Sequence, residues 1–360
     1  MIIHLIGTKA QYIKMAPVIL ETARHQLPYK LIYTGQHSET FDDLQKNFGL
    51  QEPDLRLTSD REATDRQSFL KWAWSAWREA NSPAVRDIWS KASAIVVHGD
   101  TASTLLGAKI ANRYDRPLVH VEAGLRSFNF LHPFPEELIR VRVSRYTAVH
   151  CCPDKIAVRN LEAAGVKGEK LLTHGNTLID ALRMAQAGAP ASQSGNSGYG
   201  IFSMHRQENL FNSRRLGKAL QLLSELAKIA PVKFVLHPVT HRRLEKLGTL
   251  QQIQADSRIT LVPRMDFFAF NSLLRGASFV VTDGGSNQEE CALLNIPCVL
   301  ARRATERPDG IGVNAIIGDL DIDRILEFLK TTAGQTRGRG VLPDVSPSRI
   351  IVERLASFTS

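Results

Sequence analysis

Apolar residues fall in short runs that alternate with longer stretches of helical spacing. The first run, IIHLIG (2–7), ends in a Gly7-Thr8 turn and leads into helical periodicity over 13–24. KLIYTG (30–35) predicts a second strand, and 67–80 a helix carrying Phe69, Trp72, Trp74 and Trp77, which reads as core or dimer surface. Strands are predicted at 94–97, 118–121, 147–152 and 171–173. Helices are predicted over 102–113, from Pro135 onward, and between the last two strands. Such alternation builds a parallel, doubly wound sheet, whose ligands bind beyond the carboxyl ends of the strands.

The pattern breaks once. Over 186–199 (QAGAPASQSGNSGY) Gly, Ser, Ala and Pro dominate without apolar periodicity, so 187–198 reads as a linker. Strand-like runs then return at 200–205, 233–238, 259–263, 278–285 and 297–301. Helical spacing returns over 214–229, from about 240, over 267–275 and from about 286. The expected fold is α/β, with two Rossmann-like domains facing across a cleft, over 1–186 and 199–345. A last helix over about 348–358 is expected to cross back, adding 346–360 to the first domain.

Composition narrows the function classes. A chain of 360 residues suits two such domains. The net charge of +9 fits a phosphorylated substrate or weak association with an anionic membrane surface. No dense Lys/Arg tract with interleaved aromatics appears, so nucleic acid is not an expected partner. No apolar run approaches the roughly 18 residues of a membrane span. Cys151, Cys152, Cys291 and Cys298 lack zinc or redox spacing and read as reduced core residues of a cytoplasmic protein. His98, His120, His132, His150, His174 and His237 are scattered and read as core or loop residues, and no metal is expected.

The candidate chemistry lies at predicted strand ends. Asp100, Glu122 and Glu136 each fall just past an apolar segment, so three carboxyls could meet at one sheet edge. In the second half, TDGGSNQEE (282–290) joins an apolar strand to a helix. Gly284 and Gly285 would let backbone amides and the helix N-terminus approach a diphosphate. Glu290, one turn on, is placed to accept ribose hydroxyls. Arg302, Arg303 and Arg307 follow the next strand and either neutralise a diphosphate or form an ordinary polar loop. Neither GxGxxG nor a P-loop is present, which disfavours nicotinamide and P-loop sites.

Nine motifs, in order, are GTKAQYIKMAP, TGQH, VHGDT, HVEAGLRSF, PFPEE, HGNTLID, SMHRQEN, TDGGSNQEE and ATERPDG. Together they resemble the UDP-N-acetylglucosamine 2-epimerases, nearly end to end. The resemblance implies a GT-B fold and usually a homodimer, with UDP bound mainly by the second domain and the sugar facing carboxylates of the first. It implies a catalytic set of Asp100, Glu122, Glu136 and His205. It also implies UDP binding by Lys9, Lys14, Arg206, Phe270, Gly284, Gly285, Ser286, Glu290 and Arg302, with Phe270 stacking on uracil. The implied reaction interconverts UDP-GlcNAc and UDP-ManNAc, without a cofactor, through elimination of UDP and a glycal intermediate. Which carboxylate acts as base and which as acid stays open. Alternatives are a hydrolysing epimerase, a GT-B glycosyltransferase and a non-catalytic nucleotide-sugar-binding regulator.

The chain departs from the family pattern in places. The usual GTRPE opening is GTKAQ here, so Ala10 and Gln11 replace a proline and a carboxylate. In the phosphate turn, Gly284 replaces a serine and Ser286 a glycine. Ile139 stands before Arg140 in place of asparagine, and Ser144-Arg145 where an acid is usual. Thr240 replaces a histidine that some relatives use to bind a second, activating UDP-GlcNAc.

Overall fold

The computed structural model describes residues 1–36, 41–58, 66–130, 134–187, 198–305, 307–332 and 341–359. His37, His132 and all but the two ends of the expected linker lie outside the described residues. The chain folds as two compact units, Met1–Met184 with Asp344–Ser360, and Ala185–Pro343.

Among the described residues the first unit holds seven strands: Ile2–Ile6 (β1), Tyr29–Tyr33 (β2), Leu55–Arg56 (β3), Ala94–His98 (β4), Leu118–Val121 (β5), Val149–Cys152 (β6) and Glu169–Leu172 (β7). All pairings are parallel, in the order β3-β2-β1-β4-β5-β6-β7. β1, β4, β5 and β6 are buried at every position, as strands covered by helices on both faces must be. The chain order reverses between β1 and β4, the position at which doubly wound sheets bind their ligands.

The second unit repeats the arrangement with Tyr199–Ser203 (β8), Val232–Leu236 (β9), Ile259–Pro263 (β10), Ala277–Thr282 (β11), Cys298–Leu300 (β12) and Ala315–Ile317 (β13). Its parallel order is β10-β9-β8-β11-β12-β13, with the switch between β8 and β11.

The first helix spans Lys9–Arg24, four residues earlier than its apolar periodicity suggests. Thr8 explains the difference, because its hydroxyl accepts the Gln11 amide and starts the helix directly behind β1. The aromatic helix, Arg66–Ala80, divides its tryptophans. Trp72 is buried and donates to the Thr34 carbonyl at 2.9 Å, whereas Trp74 is 64% exposed under the Arg78 guanidinium. Helices at Phe41–Phe48, Pro83–Ser90, Leu178–Ala187 and Ile322–Thr332, and strands β3 and β13, were not legible from the pattern. Most bury only two or three side chains, such as Phe41, Leu44 and Phe48, among polar neighbours. The final helix, Pro347–Ala356, packs on Lys9–Arg24, and its Ser348 amide donates to Asp180 at 2.8 Å.

All four cysteines are free and buried. Among the described residues no helix is long and apolar enough to cross a membrane, and no group of three His, Cys, Asp or Glu could hold a metal ion.

Candidate active site

Gln11 ties the two loops at the switch point of the first sheet. Its Oε1 accepts the Gly7 amide at 2.9 Å. Its Nε2 lies 2.7 Å from the His98 carbonyl and 2.9 Å from the hydroxyls of Thr101 and Thr104. An amide can accept and donate at once; an ionised carboxylate here would point lone pairs at the His98 carbonyl. Gln11 therefore carries a role that the loss of the family carboxylate did not suggest.

Glu122 follows β5 directly, with φ of +64°, a left-handed conformation that costs a non-glycine residue. Three side chains hold its Oε2. Lys14 Nζ lies 2.5 Å away, and both side chains of this pair are almost fully buried. Asn176 Nδ2 donates to the same oxygen, while Asn176 Oδ1 accepts the Leu178 amide at 2.9 Å, which fixes the orientation of the amide. His98 Nε2 stands 3.6 Å from it. Burying a carboxylate without compensation is costly, and the Lys14 ammonium provides that compensation. Lys14, expected among UDP-binding side chains, is thus placed against Glu122.

Asp100 sits one glycine past β4 and pairs with Arg140 at 2.5 Å, both groups partly open. The two glutamates of PFPEE differ sharply. Glu136 is half-buried, and its Oε2 has no hydrogen-bond partner among the described residues. Glu137 is fully buried and accepts Arg126 Nε at 2.6 Å, the Ser127 amide at 3.0 Å and the Phe128 amide at 3.3 Å. Burial opposes its charge, yet the Ser127 and Arg126 contacts hold its pKa below the ordinary carboxylate value. Glu137 anchors the loop after β5, and Glu136 is the glutamate with unsatisfied capacity. Lys9, at the start of the first helix, is half-buried.

The second unit builds its switch point from different chemistry. Asp283 follows β11, is fully buried, and accepts the amides of His205 and Arg206, at 3.0 and 2.9 Å, and Asn209 Nδ2 at 3.0 Å. Its Oδ1 also stands 3.2 Å from His205 Nδ1. The His205 ring stacks on His237 at 4.4 Å, and burial lowers its pKa despite the Asp283 charge. Thr240, the departure from the histidine-bearing pattern, donates from its hydroxyl to the Met204 carbonyl at 2.5 Å, next to His205.

Gly284 caps the helix Gly285–Leu293, and its amide donates to Thr282 Oγ1 at 3.0 Å. Neither glycine is required by φ, but both stand close to side chains of the site. A Cβ on Gly284 would stand 3.3 Å from His205 Cε1, and one on Gly285 3.3 Å from Arg307 Nε and 3.7 Å from an Arg302 nitrogen. Two guanidiniums thus flank a helix N-terminus, where backbone amides and the helix dipole favour an anion. Arg302 is buried, and Arg307 pairs with Glu289. Gln288 holds the arginine loop by donating to the carbonyls of Arg307 and Asp309, at 2.9 and 2.8 Å. Ser286 is exposed in the first turn of the helix, Glu290 is buried one turn on, and Arg303 is exposed. Phe270 lies half-buried in the helix Phe267–Arg275.

Residues 21–340 match the family model described as UDP-N-acetylglucosamine 2-epimerase. The UDP-N-acetylglucosamine 2-epimerase of Methanococcus maripaludis is 31% identical over 91% of this chain and 90% of its own length. The chain belongs to this family. The UDP-2,3-diacetamido-2,3-dideoxy-D-glucuronate 2-epimerase of Pseudomonas aeruginosa is 30% identical, over 93% of each chain. The crystal structure of UDP-GlcNAc 2-epimerase from Neisseria meningitidis bound to UDP-GlcNAc superimposes with a TM-score of 0.82 at 25% identity, covering 99% of each chain. The α/β architecture of two Rossmann-like domains is therefore shared with that relative.

Within the first unit, Asp100 and Glu122 follow adjacent strands, and Glu136 opens the next helix. Within the second, His205, Arg206, Gly284, Gly285 and Arg302 converge on one helix N-terminus. Asn176, Arg140 and Asp283 were missed as site residues, although HGNTLID, PFPEE and TDGG carried or adjoined them. Nothing in spacing tells that Asn176 would reach a carboxylate 54 residues away.

Proposed function

We propose that the protein interconverts UDP-N-acetylglucosamine and UDP-N-acetylmannosamine, or a closely related UDP-hexosamine pair, by inverting C2. The observation that carries this reading is Glu122, a buried carboxylate in strained backbone held by Lys14 and Asn176, one strand from the switch point. Support comes from the relatives named above, which invert the same carbon of UDP-linked amino sugars.

C2–H is not acidic while C1 keeps its UDP. As the C1–O bond breaks, its electron pair leaves with the β-phosphate and positive charge builds at C1. A carboxylate then takes the C2 proton, and the C2–H electrons form the C1–C2 double bond of a glycal. Return of a proton to the opposite face, with re-addition of UDP at C1, gives the epimer. The helix N-terminus at Gly285, with Arg302 and Arg307, is assigned to the departing diphosphate, where fixed donors act on charge as it develops. His205 and Arg206 are assigned to the same group. Asp100, Glu122 and Glu136 are assigned to proton transfer. Retention of all three acids favours chemistry over mere binding.

The test is incubation with UDP-N-acetylglucosamine in D2O, followed by NMR. Deuterium at C2 of intact UDP-sugar is the expected result. Free N-acetylmannosamine with UDP would replace this reading by hydrolysis, and binding without C2 exchange would end it.

A further inference from the structure

A cavity of about 340 Å³ opens in the first unit and adjoins the acid cluster through Arg140, which pairs with Asp100. It lies between the helices Glu136–Ser144 and Lys155–Ala163, and its wall includes residues from the ends of both, Ser144 and Arg145 on one side and Lys167 on the other. Both helices follow their strands back from the carboxyl edge, so the cavity runs from the loop after β5, at Gly124, Leu125 and Arg126, toward the opposite edge at Arg145 and Lys167. Such a volume holds a molecule of monosaccharide size.

Its charge is one-sided. Arg126, Arg140, Arg145 and Lys167 line it, and no aspartate or glutamate does. Arg126 and Arg140 are partly neutralised from behind, by Glu137 at 2.6 Å and Asp100 at 2.5 Å. Arg145 and Lys167 are exposed and have no carboxylate within ion-pair distance among the described residues. Ser144-Arg145 is also the segment that departs from the acidic family pattern, so the departure falls on the cavity wall. Nothing in the proposed reaction uses it.

A buried polar side chain also forms part of the wall. His120 lines the cavity at 2% exposure. Its Nε2 donates to the Gly99 carbonyl at 2.7 Å, so the neutral ring leaves Nδ1 as an acceptor, and this atom has no partner among the described residues. Burial lowers the His120 pKa to about 4, so the ring stays neutral near pH 7. Cations at the mouth suit an anionic group. Leu125, Leu161 and Val166 supply apolar wall.

We propose that this cavity binds a small organic anion of monosaccharide size, a sugar phosphate or sugar carboxylate, through Arg145, Lys167 and Arg140. Because Arg140 also holds Asp100, the bound anion competes with Asp100 for one guanidinium and so couples the cavity to the acid cluster. No step of the epimerisation itself requires it.

Calorimetric titration with glucose 6-phosphate, glucuronate, inorganic phosphate and glucose tests the site, with saturating UDP present to fill the phosphate turn of the second unit. The sugar anions are expected to bind, and to bind at least about tenfold more weakly to the Arg145→Ala/Lys167→Ala double variant, since charge-assisted contacts carry that much. Both side chains are exposed, so the variant keeps its melting temperature and its turnover without added anion. Equal binding to wild type and variant, binding of glucose as strong as that of its phosphate, or no sugar-anion binding overturns the proposal. Inorganic phosphate binding as tightly as glucose 6-phosphate replaces the sugar anion by free phosphate and overturns the assignment of size. Turnover is the second readout and rests on the epimerase reading, whereas calorimetry does not. The sugar anion should change turnover of wild type and leave the double variant unaffected. Binding that leaves wild-type turnover unchanged removes the coupling through Arg140.

Discussion

The two units share one topology and use the same place in it for opposite electrostatics. Beside the switch between β1 and β4, two of the three acids are matched to a cation or a fixed donor, Glu122 to Lys14 and Asn176, and Asp100 to Arg140, while Glu136 keeps an oxygen without a partner among the described residues. At the switch between β8 and β11, a buried aspartate turns inward to hold backbone amides, and the outward surface is glycine, helix N-terminus and arginine. The first site, with two acids neutralised pairwise and Glu136 left open, is suited to moving protons. The second keeps a cationic surplus and is fit to hold a dianion. A parallel sheet supplies the crevice in both cases; the residues after the strands decide what it does.

The comparison predicts separable losses. Glu122→Gln keeps the size and the contacts to Lys14 and Asn176 in altered form but removes the basic oxygen. C2 exchange in D2O should fall about 10³-fold, as for loss of a general base. UDP affinity, measured by calorimetry, should stay within about twofold, because the second unit is assigned to UDP. Retained exchange would take Glu122 out of the reaction, and lost UDP binding would break the division of labour.

The reverse substitution lies at Gly285. Gly285→Val places a branched side chain against Arg307 and Arg302, where even a Cβ is 3.3 Å from Arg307 Nε. The expected effect is a rise of about 10- to 100-fold in the Kd for UDP, the loss of one or two charge-assisted contacts. Exchange at saturating substrate should suffer less than in Glu122→Gln. Equal losses in both variants would mean that the two regions do not specialise.

How much of this was readable in advance follows the same divide. The turn after β11 was legible because its parts are contiguous: strand, two glycines, helix and, shortly after, arginines. Asp100 and Glu122 were legible from their position past apolar strands. Their partners were not, since Lys14 lies 108 residues from Glu122 and Arg140 lies 40 from Asp100, and only the fold brings them together. Gln11 looked like a lost carboxylate until its amide was seen to bridge two loops. Adjacent residues on a helix point about 100° apart, so Glu136 and Glu137, inseparable by composition, have different surroundings.

That last pair yields the smallest effect and the one that depends on pH. Glu137→Gln should lower stability by about 2 kcal/mol at pH 7, the scale of hydrogen bonds to a buried charge. The folded pKa of Glu137 is depressed, so its contribution is complete above the ordinary carboxylate pKa. It is lost as pH falls through the folded value. The gap in melting temperature between wild type and variant should therefore be constant from about pH 7 to 5 and narrow below about 4.5. Both proteins should also lose stability together from about pH 6.5 downward. Burial lowers His4 to about 3 and His120 and His150 to about 4, so the unfolded chain takes up protons that the folded one refuses. That shared loss cancels in the difference and leaves Glu137 alone. If the gap stays constant down to pH 3, Glu137 holds the loop after β5 by shape and not by charge. If the gap is absent at pH 7, Glu137 does not anchor that loop.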